Sequence, residues 1–139
     1  MPRFIDSLTG SDWFGTLART VLTSIFWMSG LAKLIDFDAG VAEMAHFGLE
    51  PAPFFTAAVA LTQLFGSAFI IANRFTWLGA GMLAVFTALT IPIAHAFWTM
   101  EEPFRTLEFY FVMEHVTVIG ALMVVTWKSA HPDPVVATA

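Results

Sequence analysis

Long apolar runs separated by short polar stretches cover most of the chain. Four of these runs reach the length of about 20 residues that an α-helix needs to cross a bilayer. They cover residues 14–34, 53–72, 75–98 and 107–127. The runs are continuous and lack the strict alternation of apolar and polar residues found in the wall of a membrane β-barrel. The pattern therefore predicts an all-α fold, an integral membrane four-helix bundle, in a single domain over residues 1–139.

A shorter amphipathic segment separates the first two predicted spans. Its apolar residues recur at the spacing of one helix face: Phe37, Val41, Met44 and Gly48. We expect Asp38 to cap this helix at its start, and Gly48 with Pro51 to end it. Such a helix lies on the membrane interface; an irregular loop is the alternative. The end of the chain, residues 131–139, contains two prolines and small residues and is expected to be flexible.

Composition strengthens the membrane assignment and excludes several functions. The chain is 58% hydrophobic and 12% charged, whereas soluble domains carry about 25% charged residues. The lipid bilayer is therefore the first expected partner. A net charge of −5 without a basic patch excludes a nucleic-acid partner. The sequence contains no cysteine, so no disulfide, thiolate nucleophile or cysteine-ligated cofactor can form.

The basic residues indicate how the predicted spans are oriented. If both termini share one side with the turn at residues 73–74, that side carries four basic residues: Arg3, Arg19, Arg74 and Lys128. The other side carries two, Lys33 and Arg105, together with most of the acidic residues. Basic residues are enriched on the cytoplasmic side of membrane proteins. We therefore expect both termini to be cytoplasmic.

Polar side chains in the predicted spans mark the candidate site, because such groups usually face the interior of a bundle. The candidate intramembrane polar site consists of Arg19, Lys33, Gln63, His95, Glu114 and His115. The strongest signal is Glu114-His115, since a carboxylate at that depth must be neutral or paired. If a metal binds, its candidate ligands are His95, His115 and Glu114. The cluster equally suits haem, a quinone head group or a proton relay, or it serves helix packing alone.

Several motifs occur over roughly residues 15–127: Arg19, Ser29-Gly30-Leu31-Ala32-Lys33, Asp36-Phe37, the segment from Met44 to Pro51, Arg74, His95-Ala96-Phe97-Trp98 and Gly120. Together they resemble the motifs of the DoxX family of small bacterial membrane proteins. Two positions differ from the family pattern. Gln63 stands where the family usually has glutamate, and Glu114-His115 stands where it often has Lys-Asn.

The resemblance implies a multi-pass protein of the bacterial inner membrane. Some family members are linked to thiosulfate:quinone oxidoreduction and others to redox or oxidative-stress complexes. We therefore expect a subunit or accessory protein of a respiratory or redox complex, with partner subunits or a second copy of the chain. Any enzymatic role would be that of an oxidoreductase subunit, with a quinone-like ligand or cofactor at the polar cluster. The alternatives are a structural packing subunit and a small proton-coupled transporter.

Overall fold

Every element of secondary structure in the computed structural model, which describes residues 2–131, is a helix. The helices are α1 (Arg3–Thr9), α2 (Asp12–Leu22), α3 (Ser24–Ile35), α4 (Phe37–His46), α5 (Ala52–Ile71), α6 (Thr76–Ala94) and α7 (Phe104–Ala130), with a 3₁₀ turn at Phe97–Thr99. The all-α expectation is confirmed. Helix α1 was not predicted. The expected flexible tail lies outside the described residues beyond His131.

Three segments are long and apolar enough to cross a membrane: Ala52–Ile71, Thr76–Thr99 and Phe104–Ala130. The first predicted span is instead divided into α2 and α3 at Thr23. The hydroxyl of Thr23 donates a hydrogen bond to the carbonyl of Arg19 at 2.8 Å. A threonine that bonds back to the preceding turn competes with regular helix geometry and often bends the helix. The protein is therefore a multi-pass helical membrane protein whose first predicted span is not one continuous helix.

The long helices pack in chain order, with α3 against α5, α5 against α6, and α6 against α7. Their shared core consists of Phe26, Ile70, Ala80, Leu83 and Leu122. These residues lie toward the end of the bundle that holds the α5–α6 turn. By contrast, α3 and α7 make few close backbone approaches. The bundle is therefore tightly packed at one end and more open at the other.

Two glycines bring α5 and α6 into close contact. A Cβ atom added to Gly79 would lie 2.5 Å from the carbonyl oxygen of Gly66. Small residues at such positions let membrane helices pack at short distance. The connection between α5 and α6 is short. Within it, Asn73 and Phe75 both adopt left-handed backbone angles, with φ of 52° and 56°. The α5–α6 pair is thus a tight helical hairpin.

The predicted amphipathic helix is present as α4, although its capping residue differs from the expectation. The carboxylate of Asp36, not that of Asp38, accepts a hydrogen bond from the backbone N–H of Ala39 at 3.0 Å. Asp36 is preferred because it stands directly before the helix, where the first N–H groups lack partners. Gly48 follows the helix with a φ of 71°, as its predicted role in ending the helix requires. Met44 is buried, and α4 packs against α5 over the open end of the bundle.

Candidate functional site

A cavity of about 580 Å³ occupies the open end of the bundle, among α3, α4, α5, α6 and α7. Its lining is mainly apolar and includes five phenylalanines: Phe26, Phe47, Phe55, Phe86 and Phe111. It also includes five of the six predicted site residues: Lys33, Gln63, His95, Glu114 and His115. The rarity of polar groups in the spans therefore predicted a set of side chains that the fold brings to one cavity.

The cavity extends to the side of the bundle that would face lipid. Several of its lining residues are exposed, among them Ile25 on α3, Leu89 on α6 and Glu114 on α7. Ile25 and Glu114 lie on α3 and α7, two helices that make few close backbone approaches to each other. A ligand with an apolar tail can therefore reach the cavity directly from the hydrocarbon layer.

Arg19 does not line the cavity and serves a structural contact at the other end of the bundle. Its Nε donates a hydrogen bond to the carbonyl oxygen of Ile71 at 3.3 Å, and Nη2 donates to Thr16 Oγ1 at 3.3 Å. Ile71 is the last residue of α5, where carbonyl groups lack partners within the helix. Arg19 therefore provides a hydrogen-bond donor for the carbonyl group at the end of α5 and links α2 to α5.

Lys33 lines the cavity from the last turn of α3 and forms an ion pair with α4. Its Nζ lies 2.8 Å from a carboxylate oxygen of Glu43, and it also donates to Ser29 Oγ at 3.4 Å. The Lys33 side chain is 9% exposed and that of Glu43 is 47% exposed. The lysine is therefore buried in the cavity wall, while its counter-charge reaches the surface. The pair fixes α4 over the cavity.

Two histidines lie side by side on the wall formed by the end of α6 and by α7. The ring centroids of His95 and His115 are 4.6 Å apart, with the rings close to a T-shaped arrangement. His95 Nδ1 lies 2.6 Å from the Glu108 carboxylate, and His115 Nδ1 lies 2.7 Å from the carbonyl oxygen of Phe111. Both histidines are therefore held in place through Nδ1.

These contacts determine the hydrogen-bonding character of the other ring nitrogen. A carbonyl oxygen, or a carboxylate in its ionised form, can only accept, so Nδ1 is the donor in such a contact. In a neutral imidazole, Nε2 is then an acceptor. Within residues 2–131, neither His95 Nε2 nor His115 Nε2 has a hydrogen-bond partner. In their neutral forms the two rings therefore provide two nitrogens that can accept a hydrogen bond.

Gln63 lines the cavity from α5 and is only 4% exposed. Its Oε1 is the one buried side-chain N or O atom without a hydrogen-bond partner in the part of the chain that the structure describes. Leaving such a group unpaired costs about 1–3 kcal/mol. A buried carboxamide without a partner inside the protein is a group available to a ligand.

Glu114 lies ten residues after Phe104, the first residue of α7. This corresponds to about 15 Å along the helix at about 1.5 Å per residue. The side chain is exposed and, within the described ranges, makes no hydrogen bond or ion pair. The described residues also contain no group of three or more metal-ligating side chains placed to hold a metal ion. A metal site at His95, His115 and Glu114 therefore stays a prediction.

The DoxX family model matches residues 14–96, which run from Phe14 in α2 to Ala96, just after α6. The chain belongs to the DoxX family. No curated protein and no solved structure matches it. Within this DoxX protein, Lys33, Gln63 and His95 lie in the matched segment, whereas Glu114 and His115 lie beyond it.

Two acidic residues of the DoxX site were not among the predicted ones. Glu43 pairs with Lys33, and Glu108 pairs with His95. Glu108 carried a sequence signal, since it stands seven residues before His115 and so shares its helix face. Glu43 carried no comparable signal, because its pairing depends on how the chain turns between α3 and α4.

Proposed function

We propose that this DoxX protein is a subunit or accessory protein of a redox complex in the membrane, and that its cavity binds a quinone-like ligand. The observation that carries the proposal is a cavity of about 580 Å³ with a mainly apolar lining and a few polar side chains. Small-molecule sites typically have volumes of about 300–1,000 Å³ and this kind of lining. Family membership supports the membrane setting, and the redox role is part of the proposal.

The lining suits an aromatic head group with an apolar tail. Five phenylalanines provide flat surfaces against which an aromatic ring can pack. Lys33, Gln63 and the two histidines provide polar contacts at separate points of the wall. The opening between α3 and α7 gives an isoprenoid tail a route into the bilayer. The proposal thus assigns the ring to the cavity and the tail to the lipid.

The proposal also includes a location and an orientation. We place the protein in the bacterial inner membrane with both termini in the cytoplasm, because four basic residues share that side. Arg19 lies at the end of α5, far along the bundle from the cavity. The cavity then belongs to the outer half of the membrane.

The test is to identify what the full-length protein retains when it is purified in lipid nanodiscs formed directly from its native membrane. We expect mass spectrometry of the extracted lipids to find quinone at a ratio approaching one per chain. The His115→Ala variant should lose most of it, because the variant removes a cavity side chain. His131→Ala is the matched control, since His131 lies after α7 and outside the cavity. Quinone at the background level of the membrane, or equal retention by both variants, would contradict the proposal.

A second candidate, a structural packing subunit, is favoured by the exposure of α7. Of its 27 residues only Val112 and Leu122 are buried, and Glu114 is exposed at depth. An ionisable group on the lipid face of a span is costly, so a neighbouring subunit would stabilise it. Stoichiometric partner proteins without a bound ligand, in the same preparation, would favour this second function.

A further inference from the structure

The wall of the cavity formed by α6 and α7 presents hydrogen-bond acceptors. Thr87 and Thr90 line this wall, and their hydroxyl groups already donate to the carbonyls of Leu83 and Thr87, at 2.7 and 2.8 Å. Because each hydroxyl proton is engaged, the oxygen can offer the cavity only its lone pairs. His95 and His115 add their Nε2 atoms, which accept in the neutral rings.

The opposite wall presents the donors. On α3, Lys33 has three N–H bonds and uses two of them, toward Glu43 and Ser29. The Ser29 hydroxyl accepts from Lys33 and keeps its own proton for donation. Both side chains line the cavity. The polar groups are therefore divided, with donors on α3 and acceptors on α6 and α7.

Gln63, on α5, lies between these walls and provides independent evidence that a ligand belongs here. Its buried Oε1 lacks a partner among residues 2–131, so a hydrogen-bond donor on a molecule in the cavity would satisfy it. A ligand that only accepts hydrogen bonds would leave Oε1 and the α6–α7 wall unpaired. A ligand that also donates would pair with both walls and with Oε1.

We propose that the cavity prefers the hydroxyl-bearing form of a redox-active aromatic ring, a quinol, over the corresponding quinone. The inference rests on the proposed function, because it concerns the ligand of the same cavity. The carbonyl oxygens of a quinone only accept, whereas each quinol hydroxyl both donates and accepts. A quinol therefore donates to the α6–α7 acceptors while it accepts from Lys33 or Ser29.

The first test isolates hydrogen-bond donation from redox chemistry. It uses 4-nonylphenol and its methyl ether, two probes with the same ring and alkyl chain of which only the phenol donates. Isothermal titration of the full-length protein in nanodiscs, corrected with empty nanodiscs, gives their affinities. We expect the phenol to bind about tenfold more tightly, since one neutral hydrogen bond contributes about that factor. Decylubiquinol and decylubiquinone, compared without oxygen, should show the same order.

Two variants test whether the acceptors on the α6–α7 wall cause the preference for the phenol. Thr90→Val and His115→Phe each remove an acceptor while nearly preserving shape, so each should lower the phenol-to-ether ratio severalfold. Thr117→Val is the matched control, because Thr117 is exposed on α7 and outside the cavity. Equal binding of phenol and ether to the unmodified protein would overturn the quinol preference and leave the proposed function intact. Binding of none of the four probes would overturn both.

Discussion

At the scale of single residues, the ion pair between Lys33 and Glu43 joins two helices through one buried charge. The lysine was predicted as a candidate because charges in apolar spans are rare. Its partner could not be predicted, because Glu43 approaches it only after the chain turns at Asp36. A buried ion pair adds little stability over apolar groups of similar size, but a buried charge without its partner is destabilising.

This asymmetry predicts different effects for the two halves of the pair. Lys33→Met replaces the buried charge with an apolar chain of similar length, so the free energy of unfolding should change by less than about 1 kcal/mol. Glu43→Gln leaves the lysine buried without its counter-charge and should destabilise by about 1–2 kcal/mol, reduced by the exposure of Glu43. Thermal unfolding in one detergent measures both variants. Greater destabilisation by Lys33→Met would contradict this account.

The sequence pattern predicted several side chains of the site, but it could not predict their hydrogen-bond partners. Gln63, His95 and His115 were predicted because each is a polar group within an apolar run. The contact of His95 with Glu108 depends on α6 ending at Ala94, before the 3₁₀ turn. Glu114 was predicted in the same way as His115, and both line the cavity, yet only His115 packs against His95. Only the fold separates the histidine beside His95 from the exposed carboxylate.

At the scale of elements, apolar length predicted the long helices well, while local hydrogen bonds determined their ends. The segments 53–72 and 107–127 lie within or close to α5 and α7. The division at Thr23 had no clear signal, because threonine also occurs inside continuous membrane helices. Asp36 and Asp38 were both acidic candidates near the start of α4, and the backbone geometry of the turn selected Asp36.

The close contact of α5 with α6 gives a prediction with an internal control. In Gly79→Ala the new methyl group meets the Gly66 carbonyl, a backbone atom that cannot move independently. We expect a loss of about 1–3 kcal/mol in the free energy of unfolding. Gly81→Ala, on the same helix, has no atom within 4 Å of the new methyl group and should be neutral or slightly stabilising. Chemical denaturation in mixed micelles gives the free energy of unfolding of both variants. Equal effects of the two substitutions would show that the Gly66–Gly79 contact does not limit the packing of α5 against α6.

At the scale of the whole molecule, the protein combines a packed end with an open end. Apolar periodicity could predict that the spans associate, but not where they separate. The core around Leu83 and Leu122 closes one end, while α4 and its ion pair cover the other. The cavity lies at this second end, among α3, α4, α5, α6 and α7.

The proposed orientation can be tested on the full-length chain. Alkaline phosphatase is active only outside the cytoplasm, so its fusion to the C-terminus should be inactive. The same enzyme inserted after Glu101, between the 3₁₀ turn and α7, should be active. We expect this contrast because Arg74 and Lys128 lie on the side of the C-terminus. An active C-terminal fusion would reverse the assignment and move the cavity to the cytoplasmic half.

The proposed route between α3 and α7 has a further consequence for how the ligand's concentration is defined. A ligand that arrives through this opening is dissolved in lipid, so its relevant concentration is its mole fraction in the bilayer. Adding detergent lowers that mole fraction and empties the protein without weakening any contact. Occupancy should therefore follow the lipid-to-protein ratio of a preparation rather than its aqueous volume. Affinities measured in different preparations can therefore be compared only when the ligand concentration is given as its mole fraction in the lipid.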